Sequence, residues 1–301
     1  MEVIFLGVKV FLIIILLLLA VAFLSLFERK LLGLSQNRKG PSTVGPLGSL
    51  QPFADALKLI TKIDSSPEKS VNVLFYFPPV VFFFFSIGAW VVFPMDFILF
   101  NFQVGGVFLV FWLSLGVYGL VFSGWFSFSK YATLGLSRAV AQSISYEIVL
   151  SFCVFAVFLI VGSVNLSMLS IFSKESSLSL FWGSLSLMLL VSLLAESSRT
   201  PFDLPEAESE LVGGYSVEYG SVSYTILFLG ENLSLFFCAM LLVLFSLGMK
   251  AFLLKFMMSV ILFIWVRSTL PRVRFDKIMN LCWVEMIPIL LGLISIFCLL
   301  G

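Results

Sequence analysis

Apolar stretches of about 20 residues that carry no charge recur along the whole chain. A helix of that length satisfies its own backbone hydrogen bonds and can cross the hydrocarbon core of a bilayer. Only 12% of the 301 residues are charged, whereas a soluble domain carries about 25%. We therefore predict an all-α, polytopic membrane protein that forms one integral membrane domain over residues 1–301.

The apolar stretches predict about eight transmembrane helices. The sixth is long enough to be one tilted helix or two short ones. The seventh is short, and Lys255 near one end can extend its amine towards water. The expected bounds are Val3–Phe27, Val71–Phe93, Phe102–Phe126, Ala139–Val161, Leu178–Ala195, Tyr219–Leu247, Ala251–Val266 and Ile278–Leu300.

A further helix is expected at the membrane interface over Pro52–Lys62, in the first long polar loop. Proline suits the first turn of a helix, and the segment has an apolar side opposite Asp55, Lys58 and Lys62. This pattern is typical of an amphipathic helix lying in the interface. It also fits a simple surface anchor whose cations contact lipid phosphates.

The distribution of lysine and arginine predicts the orientation in the membrane. Of the 18 such residues, 14 lie in the loops after the first, third, fifth and seventh predicted spans. Loops rich in these cations stay on the inner side. Both termini are therefore expected on the outer side, and the long polar loops on the inner side.

The chain lacks the residues that usually hold redox groups. It has no histidine, and its four cysteines are far apart within apolar stretches. Haem, copper and iron–sulfur sites usually need these ligands. If the protein serves redox chemistry, partner subunits must hold the electron carriers.

The stretch Ala195–Tyr219, here called the acidic segment, holds six carboxylates and one cation between two predicted spans. Acids beside lipid are costly unless they are paired, solvated or protonated, so the segment is a candidate for proton handling. Glu196 and Arg199 are three residues apart and are expected to pair at a helix end. A new short helix is expected to begin at Pro205, with its end at the glycine pair Gly213–Gly214.

Acids also lie within the predicted spans themselves. Glu147 is expected roughly two turns inside the fourth span, and Glu231 lies in the sixth. An ionisable residue inside the membrane indicates a functional site by default. In the last inner loop, Arg267 and Lys277 are explained by orientation alone, whereas Arg272 and Arg274 are plausible partners for the acids or for another subunit.

Six motifs, in this order, resemble the chain 1 family of the proton-pumping NADH–ubiquinone oxidoreductase, respiratory complex I, in its mitochondrially encoded type. They are ERK at Glu28–Lys30, RKGP at Arg38–Pro41, QPFADALKL at Gln51–Leu59, RAVAQSISYE at Arg138–Glu147, RTPFDLPEAESELVGGYSVEY at Arg199–Tyr219 and WVRSTLPRVRFDKIM at Trp265–Met279. Asn232 departs from the family pattern, in which an aromatic residue is frequent at that position.

The resemblance implies a core membrane subunit that forms the ubiquinone tunnel with the peripheral arm and couples quinone reduction to proton translocation. Arg29, Arg38 and Asp55 would lie along the tunnel or its docking surface. The proton path would use Glu147, Glu196, Asp203, Glu206, Glu208, Glu210, Glu218 and Glu231. Their counterions would be Arg199, Arg272 and Arg274.

The resemblance also implies the setting of the subunit. Ubiquinone would be the substrate, and FMN and iron–sulfur clusters would lie in partner subunits, among them those of the peripheral-arm quinone site. The location would be the mitochondrial inner membrane, with both termini on the intermembrane-space side. Three alternatives stay open: a cation–proton antiporter, the membrane subunit of a proton-pumping hydrogenase, and a structural anchor for a peripheral enzyme.

Overall fold

The computed structural model describes residues 2–68, 70–92, 102–175, 183–205 and 212–300. Within these ranges the chain is helical with short connections and forms no strand, which confirms the all-α prediction. The helices, α1 to α11 in chain order, are Glu2–Ser35, Gln51–Ile60, Asn72–Val91, Gly105–Phe126, Lys130–Val161, Leu166–Glu175, Gly183–Glu196, Ser221–Leu242, Phe252–Thr269, Phe275–Asn280 and Ile287–Leu300.

Within the described residues, seven helical segments are long and apolar enough to cross a membrane. They correspond to seven of the predicted spans. A π turn over Val243–Leu247 extends α8, so the long sixth span is one continuous helical segment. The predicted fifth span is described from Gly183 onward, as the 14-residue apolar helix α7.

Two helices extend further at their polar ends than predicted. α1 continues to Ser35 and not only to Phe27, because the residues after Phe27 include no proline and are mostly good helix formers. α5 begins at Lys130, where the hydroxyl of Ser129 accepts a hydrogen bond from the backbone N–H of Ala132. The polar motifs at Glu28–Lys30 and Arg138–Glu147 therefore lie on helices. Packing of the apolar surfaces of these helices holds the motifs in place.

The core lies where α5 packs against α7, and α7 in turn against α8. Tyr146, Leu193 and Phe237 are among its fully or almost fully buried side chains. α3 approaches α4 closely at Gly119, where an added Cβ would lie 2.7 Å from the Cα of Phe82. The polar side chains described below are therefore fixed by a close-packed helical scaffold.

The helix predicted over Pro52–Lys62 is present as α2, and it packs against α1 and α8. The ring of Phe53 meets that of Phe23 on α1 edge to face, with centroids 6.1 Å apart. This packing places Asp55 within reach of the polar end of α1.

Candidate functional site

Glu28 is buried on α1, two turns before the helix ends, and it faces two arginines from other parts of the chain. Its Oε1 accepts a hydrogen bond from Nη1 of Arg267, near the end of α9. The same oxygen lies 3.6 Å from Nη1 of Arg199. The side chains of Glu28 and Arg199 are only 10% and 13% exposed, so salt screens this pair weakly. One carboxylate thus connects α1, α9 and the acidic segment.

Arg199 makes a second contact, on α8. Its Nη2 donates a hydrogen bond to Oδ1 of Asn232 at 3.0 Å. Asn232 is fully buried, and its Nδ2 donates to the backbone carbonyl of Phe228. Because Asn232 is the next residue after Glu231, Arg199 connects Glu28 with the helical turn that carries Glu231.

The expected pairing of Glu196 with Arg199 is wrong for the residues that the structure describes. α7 ends at Glu196, and Ser198 has a positive φ of 49°. The three-residue spacing brings side chains together only on a continuous helix. The turn at Ser198 instead directs Arg199 towards Glu28.

Glu196 and Glu231 line an internal cavity between α3, α4, α5, α7 and α8. Its volume is about 60 Å³, enough for several water molecules because one needs about 10–15 Å³ on this measure. The hydroxyl of Tyr215 donates a short hydrogen bond to Oε1 of Glu231. The polar residues of the wall include Gln142, Ser143, Glu196, Tyr215, Glu231 and Ser234. The cavity therefore brings two predicted proton-path acids to one small space.

Gln142 on α5 holds the acidic segment against the cavity. Its Nε2 donates to the backbone carbonyls of Ala195, at 3.0 Å, and Phe202, at 2.7 Å. Its Oε1 is buried and has no hydrogen-bond partner among the described residues. A buried amide oxygen usually has a partner, so this atom favours water in the cavity.

Glu147 lies on α5 five residues after Gln142, and it is half-buried. Its carboxylate is close enough to that of Glu196 for the two charges to repel. The segment before it is fixed by the last span: the Sγ of Cys282 donates to the backbone carbonyl of Ser145 at 3.0 Å. Glu147 thus lies on α5 near the cavity acid Glu196.

Asp203 pairs with Arg272 and ties the acidic segment to the loop before α10. Their Oδ2 and Nη2 atoms are 2.9 Å apart, and the Asp203 side chain is only 13% exposed. The backbone N–H of Val273 also donates to the carbonyl of Pro201. The structure therefore brings together the predicted acid Asp203 and the predicted counterion Arg272.

Arg274 has a different partner from the expected one. Within the described part of the chain it pairs with Asp276 at 3.0 Å, and both side chains are well exposed. Such surface pairs contribute about 0–1 kcal/mol. Arg138, Arg272 and Arg274 line an open groove of about 540 Å³ together with Asp276, so arginines predominate among its charged residues.

At the polar end of α1 the structure brings together two of the three predicted quinone-site residues. Nη2 of Arg29 lies 2.6 Å from Oδ2 of Asp55, with side chains 44% and 35% exposed. Gln51 also donates to Asp55, at 2.9 Å. Arg38 does not join this pair, and its Nε donates to Gln36. Since Arg29 follows Glu28 in sequence, the Arg29–Asp55 pair lies beside the buried contact of Glu28 with Arg199 and Arg267.

Glu218 does not line the cavity. It is partly buried beside Tyr219, whose ring stacks on Phe75 with centroids 4.5 Å apart. The hydroxyl of Tyr219 donates to the backbone carbonyl of Ser123. Burial raises the pKa of this phenol, which therefore stays protonated and remains a donor. Glu218 is thus close to a rigid anchor of the acidic segment.

Part of the acidic segment lies outside the described residues. This part includes Glu206, Glu208 and Glu210 and most of the short helix expected from Pro205. No group of three or more His, Cys, Asp or Glu in the described ranges could hold a metal ion.

The sequence interpretation missed four residues of the site. Arg267 was explained by orientation alone, although it binds Glu28. The predicted first span ends at Phe27, which leaves Glu28 at the end of the helix, whereas the structure has it well inside α1. Asn232 and Tyr215 are uncharged, and only the fold shows that they contact Arg199 and Glu231.

Comparison with known proteins gives consistent matches over nearly the whole chain. A family profile described as NADH dehydrogenase matches residues 8–298. The chain is 43% identical to NADH-ubiquinone oxidoreductase chain 1 of Anopheles gambiae over 290 residues, covering 95% of this chain and 92% of that protein. The protein of the same name from Arabidopsis thaliana is 42% identical over 294 residues, with coverage of 92% and 90%. A bacterial relative, from the NADH-quinone oxidoreductase of Paramagnetospirillum magneticum, is 42% identical over 289 residues, with coverage of 90% and 85%.

Proposed function

The chain belongs to the NADH dehydrogenase family and is a membrane subunit of an NADH–ubiquinone oxidoreductase complex, and from this premise we propose two roles for it. It forms the ubiquinone tunnel together with the peripheral arm, and it couples quinone reduction to proton translocation through its carboxylates. The relatives favour this family over the antiporter, hydrogenase and anchor alternatives. Ubiquinone is accordingly the substrate of the complex to which the chain contributes.

The observation that carries the proposal is the position of Glu28 between Arg267 and Arg199. On one side, Glu28 adjoins the Arg29–Asp55 pair, which we assign to the quinone side. On the other side, Arg199 binds Asn232, next to the cavity acid Glu231. A change of charge at the quinone side therefore has a short physical route to the carboxylates in the membrane.

The free energies involved are sufficient for coupling. Breaking a buried ion pair by removal of one partner costs about 3–5 kcal/mol. Moving one charge through 100 mV costs about 2.3 kcal/mol. If quinone chemistry shifts Glu28 away from Arg199, the guanidinium loses this carboxylate and can stabilise negative charge elsewhere, and Glu231 is the nearby candidate. A change in ion pairing can in this way alter the proton occupancy of the path.

The path itself follows the described acids in order. Asp203 and Glu218 lie within the acidic segment, Glu196 and Glu231 share the cavity, and Glu147 follows on α5. Water in the cavity would connect these groups, with the Tyr215 hydroxyl as a donor to Glu231. Glu206, Glu208 and Glu210 belong to the same proposed path by their place in the sequence.

The setting follows from the family. The chain is a multi-pass inner-membrane protein, and we assign it one integral domain over residues 1–301 in the mitochondrial inner membrane, with both termini on the intermembrane-space side. Its partners are the other membrane-arm subunits and the quinone-site and iron–sulfur subunits of the peripheral arm. FMN and the iron–sulfur clusters belong to those partners. Arg38 and the exposed Arg274 are assigned to docking and to the basic inner surface.

The test replaces Glu147 by Gln in the assembled complex and compares quinone reduction with proton pumping in sealed vesicles. We expect NADH oxidation with a hydrophilic artificial acceptor to persist, because that reaction needs only the peripheral arm. Quinone reduction and pumping should both fall strongly. Asp276→Asn, which removes an exposed acid, is the matched control. Normal assembly, reduction and pumping in the Glu147→Gln complex would refute the proposal.

A further inference from the structure

Glu285 is an acid in the last membrane span that the proposed proton path does not use. It lies in the π turn Leu281–Met286, within the apolar span Phe275–Leu299. Its side chain is exposed on the outside of the helix bundle. Among the described residues, no ion pair or hydrogen bond reaches it.

The contacts between α5 and the last span indicate how deep Glu285 lies. Arg138 of α5 shares a groove with the residues just before α10, and seven residues later Ser145 contacts Cys282. The two helical segments therefore run in the same direction. Glu285 lies three residues beyond Cys282, and Glu147 lies two beyond Ser145. At about 1.5 Å of rise per residue, the two acids are at nearly the same depth.

The two residues before Glu285 are apolar and exposed, whereas Cys282 and Met286 of the same turn are buried. Trp283 is 51% exposed and Val284 68%. The glutamate side chain is short, whereas ten residues of helix, about 15 Å, separate Glu285 from Phe275 at the inner end of the span. Reaching inner-side water along the helix is therefore unfavourable. A carboxylate at such a depth is retained where a partner compensates its charge.

We propose that Glu285 forms an ion pair, within the membrane, with a lysine or arginine on a transmembrane helix of another subunit of the complex, which packs against Trp283 and Val284. The negative charge determines the chemistry of the partner, because this chain supplies no cation for it in the described ranges. Membership of a multi-subunit complex supplies the neighbouring chains. Exposed tryptophan fits such a contact, because aromatic residues are enriched at interfaces and often carry much of the binding energy.

The first arm of the test places a photo-reactive benzoylphenylalanine at Val284 in the assembled complex in its native membrane. Irradiation should give an adduct with a peptide from a transmembrane helix that contains lysine or arginine, identified by mass spectrometry. Adducts with lipid alone, or with a helix lacking a basic residue, would overturn the proposal.

The second arm measures assembly. Glu285→Gln should increase dissociation of the complex in mild detergent at least about tenfold, since it leaves a cation unpaired in the membrane, and Glu285→Lys should prevent assembly. A lysine- or arginine-to-glutamate change in the cross-linked helix should rescue Glu285→Lys. Asp276→Asn should assemble as the unmodified chain does. Normal assembly of both Glu285 variants would overturn the interface, and this readout does not depend on proton pumping.

Discussion

Glu28 and Arg267 form an ion pair although 239 positions separate them in the sequence. The contact joins the polar end of the first helix to the end of α9. Because Arg199 approaches the same carboxylate oxygen, neither arginine can be displaced without changing the field at the other. The first helix, α9 and the acidic segment are thus electrostatically connected through one carboxylate oxygen of Glu28.

Replacing Glu28 by Gln should lower quinone reduction at least about tenfold, since two neighbouring guanidinium groups then lose the carboxylate that they share, at a cost of about 3–5 kcal/mol. Activity with a hydrophilic artificial acceptor should be retained. Asp276→Asn should leave both activities unchanged. Unaltered quinone reduction in an assembled Glu28→Gln complex would show that the shared carboxylate has no part in coupling.

Replacing Tyr215 by Phe removes the hydrogen bond to Glu231 and little volume. A hydrogen bond to a charged group contributes about 1.5–3 kcal/mol, so proton pumping coupled to quinone reduction should slow by about tenfold or more. Pumping in sealed vesicles checks this result. Tyr131→Phe, at an exposed phenol on α5, is the matched control. Equal rates in the two variants would contradict a role for Tyr215.

Replacing Asp55 by Asn should raise the KM for ubiquinone while changing stability little. The Arg29–Asp55 pair is partly exposed, and exposed pairs contribute only about 0–1 kcal/mol to stability. Steady-state kinetics with a short-chain ubiquinone and thermal denaturation of the complex separate the two effects. A normal KM together with a large loss of stability would assign the pair a structural role only.

Replacing Asp203 by Asn should loosen the acidic segment, because the partly buried pair with Arg272 contributes about 1.5–3 kcal/mol. Hydrogen exchange at the backbone of residues 197–205 should become faster. Breaking the exposed Arg274–Asp276 pair is the control, and it should leave this exchange unchanged. Equal exchange in the Asp203 variant and the unmodified chain would rule out anchoring by this pair.

Replacing Gly119 by Ala should destabilise the packing of α3 on α4 by about 1–3 kcal/mol, the usual cost of overpacking. The new methyl group would lie 2.7 Å from a Cα atom, which cannot move aside as a side chain can. Gly116→Ala, one turn away on the same helix, meets no atom within 4 Å. The midpoint of thermal denaturation should therefore fall only for the Gly119 variant.

The sequence was sufficient for local and compositional features of this protein. Long apolar stretches predicted the helices, and Arg272, expected as a partner for the acids, does pair with one of them, Asp203. Contacts set by helix packing were not accessible in the same way. Arg199 was assigned to Glu196, its neighbour on a continued helix, whereas the turn at Ser198 redirects it to Glu28. Likewise, nothing local to Arg267 indicates a partner on the first helix.

Gln142 holds both ends of the stretch that carries Arg199, at the carbonyls of Ala195 and Phe202. Both ends of this stretch are therefore fixed to α5. It cannot slide along α5 unless both hydrogen bonds break. Under the proposed coupling, a change at Glu28 would therefore move the side chain of Arg199 while the backbone of the stretch stays in place. Such a movement would need no large displacement of the backbone.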